Sequence, residues 1–424
     1  MVDFHPLNGY ISKMYKRNLT TYLQDGLSDT PVVLLNGARQ TGKSTLAENI
    51  PGWKGQYYTF DETTTLSLAK TDPEGFIFNL PERVILDEIQ HVPELFRAIK
   101  LMVDKKRTPG KFLLTGSANI LLLPKLSESL AGRMEILTLW PLSQGEIHGI
   151  KENLIDLFFE NPILYTAKKQ LTRLQLIETI IQGGFPEVVE RRTAHSRRRA
   201  WFDSYLTAIL QRDVRDIANI ESLTELPRLL TLLAGRAVNL LNFADLSRNI
   251  AIPQTTLKRY ISLLEMTFLI KYLPAWSMNH DKRLVKAPKI LLNDTGLLCH
   301  LLGVDTKRLQ DDTHTLGKLL ENFVIMELCK QASWSHNKPK IFHFRTQTGY
   351  EVDLILENAA GEIIGIEIKT SNQVTSSDFR GLNHLAETAG TKFIGGIIFY
   401  TGTTSVPAGK KMFAFPIHLL WENL

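Results

Sequence analysis

Residues Gly37-Ala-Arg-Gln-Thr-Gly-Lys-Ser44 match the pattern G-x-x-x-x-G-K-[ST] in full. This octet constrains the fold more than any other stretch, because its chemistry works in only one setting. Glycines at 37 and 42 let the backbone curl until amide N–H groups converge on phosphate oxygens. A helix must follow, so that the positive end of its dipole adds to those amides. The flanks supply both parts. Pro31-Val-Val-Leu-Leu-Asn36 reads as a buried strand, and a helix is expected from about Lys43. A strand that is apolar on both faces belongs to a parallel sheet covered by helices, so an α/β fold is expected.

Four further runs extend that sheet: Tyr57–Phe60, Arg83–Asp87, Lys111–Thr115 and Glu135–Leu139. Between Asp87 and Lys111, Leu95, Ile99, Met102 and Val103 form one helical stripe. Gly37, Ala38, Arg39, Gln40, Thr41, Gly42, Lys43, Ser44 and Thr45 are therefore the expected cradle for ATP. Lys43 should reach the β- and γ-phosphates, and the Ser44 hydroxyl should ligate Mg2+. Arg83-Val-Ile-Leu-Asp-Glu88 closes an apolar strand with two acids. Asp87 is expected to hold the metal, directly or through water, and Glu88 to orient or deprotonate the attacking water. Ser117 and Asn119 end the next strand and either sense the γ-phosphate or cap the strand. Arg133 is a candidate to stabilise transition-state charge, within the chain or in a neighbouring subunit.

Gly37–Thr45, Leu86-Asp-Glu-Ile-Gln90, Leu114-Thr-Gly-Ser117, Leu130-Ala-Gly-Arg133 and Pro141-Leu-Ser143 together resemble the prokaryotic AAA-type ATPases that carry a C-terminal domain of unknown function. Gly183-Gly-Phe-Pro-Glu187 and Asp294-Thr-Gly-Leu297 are similar to that family too, so the likeness covers nearly the whole chain. The resemblance implies an ATP-binding, ATP-hydrolysing protein whose task is undefined. It also raises a homo-oligomer, since such relatives often form rings.

The expected domains are 1–150 for the ATPase, 151–219 for a helical linker, 220–284 for a winged helix-turn-helix-like domain and 285–424 for a second α/β domain. In the third, Leu229, Leu230, Leu233 and Val238 mark one helix, and Phe243–Ile250 a second. Leu257, Ile261 and Leu264 mark the third, with a strand from Phe268 to Leu273 after it. That order fits either a winged helix-turn-helix, with 254–264 as recognition helix, or a small helical bundle. In the last domain, Asp353 on one strand is followed by Glu367-Ile-Lys369 on the next, after a helix carrying Glu321. The segment resembles PD-(D/E)xK nucleases. The resemblance implies that Glu321, Asp353 and Glu367 ligate Mg2+, while Lys369 positions the nucleophile or scissile phosphate. Such domains cleave nucleic acid or survive as binding modules.

Composition excludes some classes. No apolar run approaches the roughly 18 residues of a membrane span, no secretion signal is evident, and two cysteines make no disulfide framework, so no membrane association and a cytoplasmic location are expected. Eleven histidines show no metal-ligand spacing; His336, His343 and His384 read as surface or core residues. The net charge of +5 permits DNA binding without arguing for it. The five arginines of 191–199, followed by Arg212 and Arg215, form either a solvated helix face or a phosphate-contacting patch. The main reading is an ATPase coupled to DNA; the alternative is a nucleotide-dependent signalling switch whose nuclease-like domain only binds. A protein remodeller is a weaker third.

Overall fold

The computed structural model describes residues 4–7, 10–119, 130–168, 170–192, 194–214 and 224–424. The chain divides into two compact units, one of Lys16–Leu142 with Glu265–Leu269, the other of Met1–Tyr15, Ser143–Leu264 and Ile270–Leu424.

The first unit is built on five strands: β1 (Val32–Asn36), β2 (Gln56–Thr59), β3 (Val84–Asp87), β4 (Phe112–Gly116) and β5 (Met134–Thr138). They lie in the order β2-β3-β4-β1-β5, all parallel. Alternate residues face opposite ways along a strand. Val32, Leu34, Val84, Leu86, Phe112 and Leu114 therefore join one core with Leu95, Phe96, Ile99 and Val103 of the helix Leu95–Lys105. Val33, Leu35, Ile85, Leu113 and Leu137 join a second core, with Leu23 and Leu27 of the helix Thr20–Asp29 and Leu46 of the helix Lys43–Glu48. Both faces are dry, which explains the uninterrupted apolar runs. The expected strands all form, with boundaries within about a residue.

From Ser143 onward the second unit begins with helices, including Leu154–Glu160, Arg173–Gln182, Pro186–Arg191 and His195–Ala208. Helices Leu226–Gly235, Phe243–Ile250 and Gln254–Met266 follow, the last running on into residues assigned to the first unit. Next come β6 (Ile270–Leu273) and β7 (Lys289–Leu292), an antiparallel pair. This pair spans the 284/285 position at which the sequence places a boundary.

The remaining strands are β8 (Lys340–Arg345), β9 (Glu351–Glu357), β10 (Ile363–Lys369), β11 (Phe393–Tyr400), β12 (Val406–Pro407) and β13 (Met412–Pro416). Their order is β8-β9-β10-β11-β13-β12, mixed parallel and antiparallel. A turn at Asn358–Gly361 joins β9 to β10, with the Gly361 N–H donating to the Asn358 carbonyl at 3.0 Å. The helix Thr313–Ser333 packs on this region with Leu316, Leu320, Phe323, Val324 and Leu328 buried. No described helix is long and apolar enough to cross a membrane.

Candidate functional site

Parallel strands deliver their C-terminal ends to one edge of the sheet, which is where open α/β sheets bind ligands. Asn36 is level with Gly116, and Leu86 with Leu114, so the glycine-rich loop, Asp87 and Ser117 leave the sheet side by side. Gly37 adopts φ +151, and a Cβ there would lie 2.2 Å from the Leu139 carbonyl oxygen, so only glycine fits. Lys43 is buried, and its ammonium donates to the carbonyls of Gly37 at 3.1 Å and Ala38 at 3.0 Å. The Thr41 hydroxyl donates to the Ala38 carbonyl at 2.9 Å. Arg17 braces the loop, donating to the Thr41 carbonyl at 2.8 Å and to that of Trp140 at 2.6 Å. Arg39 is half-buried; Gln40 and Thr45 are exposed.

The Asp87 carboxylate collects three hydroxyls. Ser44 donates at 3.1 and 3.2 Å to its two oxygens, Tyr57 from β2 donates at 2.5 Å, and Thr115 from β4 donates as well. Burial and the Asp87 carboxylate together push the Tyr57 hydroxyl above the ordinary tyrosine range. Glu88 sits in the left-handed region at φ +56, which turns its side chain off the strand line. Its carboxylate accepts from the Gln90 amide and, at 3.3 Å, from the Ser117 N–H; Gln90 also donates to the Ser117 hydroxyl at 3.0 Å. Burial works to raise the Glu88 carboxyl, but the Lys43 ammonium and the donors from Gln90 and Ser117 outweigh it and hold it below the usual glutamate range. Glu88 is thus kept ionised.

Asn119 donates its backbone N–H to the Met266 carbonyl at 2.7 Å, while its buried side-chain oxygen meets no partner among the described residues. Arg133 lies elsewhere. Met134 opens β5 level with Val32 at the start of β1, so Arg133 sits at the N-terminal edge of the sheet, opposite the loop. There it pairs with Asp104 at 2.5 Å and donates to the Ala131 carbonyl at 3.1 Å. Five residues of strand, about 16 Å, separate the two edges.

Mg2+-ATP fits this edge. A hydroxyl and a carboxylate, the hard oxygen donors Mg2+ takes, already meet beside a glycine-rich loop whose lysine and helix start carry positive charge.

The C-terminal cluster holds a buried ammonium among its acids. Glu321, Glu351 and Asp353 converge on the ammonium of Lys289 from β7, at 2.8, 2.9 and 3.8 Å. Asp353 also accepts the Ile368 N–H at 2.9 Å, and Glu367 is paired with Lys369 at 3.1 Å. Burial tends to lower the Lys289 ammonium, but Glu321, Asp353 and Glu351 hold it above the ordinary lysine range. Burial, then Asp353, raise Glu321 to about 8 and push Glu367 well above the carboxylate range. Among the described residues no three of His, Cys, Asp or Glu are arranged to hold a metal ion. The expected Mg2+ ligands Glu321, Asp353 and Glu367 thus share their surroundings with two ammonium groups, those of Lys289 and Lys369.

The arginine run is partly neutralised. Arg191 and Arg192 pair with Glu187 at 3.5 and 3.0 Å. Arg198 and Arg199, with Phe202, Asp203 and His300, line a cavity of about 740 Å3. Arg215 and the Arg212 side chain lie outside the described residues. His343 is buried, its Nε2 3.2 Å from the Ala287 carbonyl, and burial with the nearby Lys289 lowers it to about 4. His384 stacks on Tyr350 with ring centroids 4.2 Å apart, and His336 is exposed. Tyr57, Gln90, Arg17 and Lys289 were not singled out by sequence reasoning. Gln90 lies inside a motif, and Lys289 is the one charge in a strand that is otherwise Ile-Leu-Leu.

Three family models match the chain: an AAA domain over residues 29–148, a domain of unknown function (DUF8612) over 173–308, and a second (DUF4143) over 316–420. Uncharacterized proteins of Mycobacterium bovis and Mycobacterium tuberculosis are each 32% identical over 358 residues, covering 84% of this chain and 74% of the relative. Among solved structures, a Walker-type ATPase of Pyrococcus abyssi is 14% identical with a TM-score of 0.43, covering 68% of this chain and 96% of that one. A RuvB variant of Thermotoga maritima is 18% identical with a TM-score of 0.30, covering 61% and 89%. The chain, which carries a P-loop AAA domain followed by a DUF4143 domain, belongs to one family with the two mycobacterial proteins.

Proposed function

We propose that this chain binds and hydrolyses Mg2+-ATP and uses the nucleotide state to set its hold on DNA. The observation that carries the first half is the meeting of Ser44 and Asp87 beside Lys43, with Glu88 held ionised next to them. The loop amides of 37–45 and Lys43 bind the phosphates, and Ser44 and Asp87 hold the metal. Bound Mg2+ supplies neutralisation of charge on the β- and γ-phosphates. Glu88 accepts the proton of the attacking water, Gln90 keeps its carboxylate in place, and Ser117 and Asn119 report the γ-phosphate. Arg133 cannot reach its own loop from the opposite sheet edge, so its role is in trans, in a homo-oligomer.

For DNA, the support is the run of three helices followed by the antiparallel pair β6–β7, with Lys258 and Arg259 exposed on the helix Gln254–Met266. That is the order of a winged helix-turn-helix, whose third helix enters the major groove. The end of this helix runs into Glu265–Leu269, where Met266 accepts the Asn119 N–H, which offers a route from nucleotide to helix.

The test is phosphate release against ATP concentration, with and without duplex DNA at two salt concentrations. Mg2+-dependent turnover, lost in Lys43→Ala, is expected. DNA affinity should fall steeply with salt and differ between ATP and ADP. Failure to bind ATP would overturn the first half. Turnover without DNA binding under any nucleotide would leave the signalling switch as the better reading.

A further inference from the structure

We infer that the ammonium of Lys289 takes the cation position of the C-terminal carboxylate cluster, which makes the cluster an internal ion-paired lock that excludes a divalent metal. The inference stands apart from the ATPase reading, because it uses none of the residues around Asp87.

Lys289 is placed by its backbone rather than by chance of rotamer. Its strand β7 pairs with β6 on one side, Leu273 opposite Lys289. On the other side Lys289 bridges Leu240, with the Val238 N–H donating to Ile290 and the Leu241 N–H to Pro288, each at 2.8 Å. Asn322, fully buried, clamps the neighbouring helix to the same strand: its side chain accepts the Leu292 N–H at 3.0 Å and donates to the Leu292 carbonyl at 2.9 Å. Glu321, the preceding residue on that helix, is thereby held against Lys289. The Lys289 side chain is only 3% exposed, so its charge cannot turn out to water.

The ion pairs agree with that placement. A buried ammonium is costly unless acids surround it, and buried acids are costly unless a cation joins them. Glu321, Glu351 and Asp353 surround the one ammonium of Lys289, and Lys369 pairs with Glu367. A divalent cation among the same acids would have to displace a buried ammonium that has nowhere to go. The lock ties β7, the helix Thr313–Ser333 and the hairpin β9–β10 together, and it leaves this nuclease-like domain as a binding module without metal-dependent cleavage.

The test counts bound Mn2+ by electron paramagnetic resonance in the nucleotide-free, full-length protein. Wild type and Asp353→Asn should bind the same number, since both retain Ser44 and Asp87. Lys289→Met should gain one Mn2+, and Lys289→Met with Asp353→Asn should lose it again. A wild-type Mn2+ that disappears with Asp353→Asn would overturn the inference, as would a folded Lys289→Met protein that gains none. If Lys289→Met does not fold, the comparison of wild type with Asp353→Asn decides alone.

Discussion

The Asp294 carboxylate accepts the backbone N–H of Gly184 at 2.7 Å, across 110 residues of sequence, and accepts that of Leu297 at 2.9 Å. One buried acid thus caps the helix Thr295–Leu302 and fastens the turn after the helix Arg173–Gln182. This explains why Gly183-Gly-Phe-Pro-Glu187 and Asp294-Thr-Gly-Leu297 occur together. Gly183 has φ +69, and a Cβ on it would lie 2.4 Å from Asp294 Oδ1. Gly183→Ala therefore combines left-handed strain with a clash against a buried carboxylate. It should lower unfolding free energy by about 2–4 kcal/mol, read as a lower denaturant midpoint with an unchanged slope.

The Glu88–Gln90 pair yields a pH prediction. The Glu88 carboxyl is held low in part by the Gln90 amide, which stabilises the ionised form. As pH falls, wild type keeps its base ionised until below the ordinary glutamate range. Gln90→Leu removes that donor, so the Glu88 pKa rises and the acidic limb of the turnover profile moves to higher pH. ATP binding near neutral pH should be unchanged. A profile that loses height without moving along the pH axis would show that Gln90 does not act through Glu88.

Tyr57 gives a metal-dependence prediction. Its hydroxyl is one of three donors that fix the Asp87 carboxylate beside Ser44. A hydrogen bond to a charged group is worth about 1.5–3 kcal/mol. Tyr57→Phe should raise the Mg2+ concentration for half-maximal turnover by about 10-fold, part of that energy being recovered by rearrangement. Nucleotide binding without metal should stay as in wild type, measured by equilibrium binding in a chelator.

The parts legible in the sequence were those written locally. The five ATPase strands lie between two dry cores, so each appears as a continuous apolar run that needs no partner to be recognised. Lys43, Ser44, Asp87 and Glu88 sit in two contiguous motifs at strand ends. Tyr57 and Lys289 were not legible, because their significance arises only from pairing. Tyr57 gains its role from lying next to β3, and Lys289 gains its from a helix and a hairpin far along the chain. The E-x-K motif of β10 was visible, but the ammonium that answers its neighbours was not. Strand β13, Met412–Pro416, and the helix Arg380–Ala389 were also not anticipated.

Placement of Arg133 sets the last prediction. It precedes β5 at the edge where that strand starts, whereas the loop follows β1 at the edge where that strand ends. An arginine acting on its own ATP would have to cross the length of the sheet, so the proposed catalytic role of Arg133 requires a neighbouring subunit. Arg133→Ala alone and Glu88→Gln alone should each lower turnover by about 100-fold or more while retaining ATP binding. Mixed in equal amounts, they should recover activity. An Arg133→Ala subunit keeps its base, and a Glu88→Gln neighbour lends it an arginine. With random assembly about one interface in four is then complete, so turnover should return to roughly a quarter of wild type. Mixing without recovery, in a sample shown by light scattering to exchange subunits, would restrict Arg133 to its pairing with Asp104.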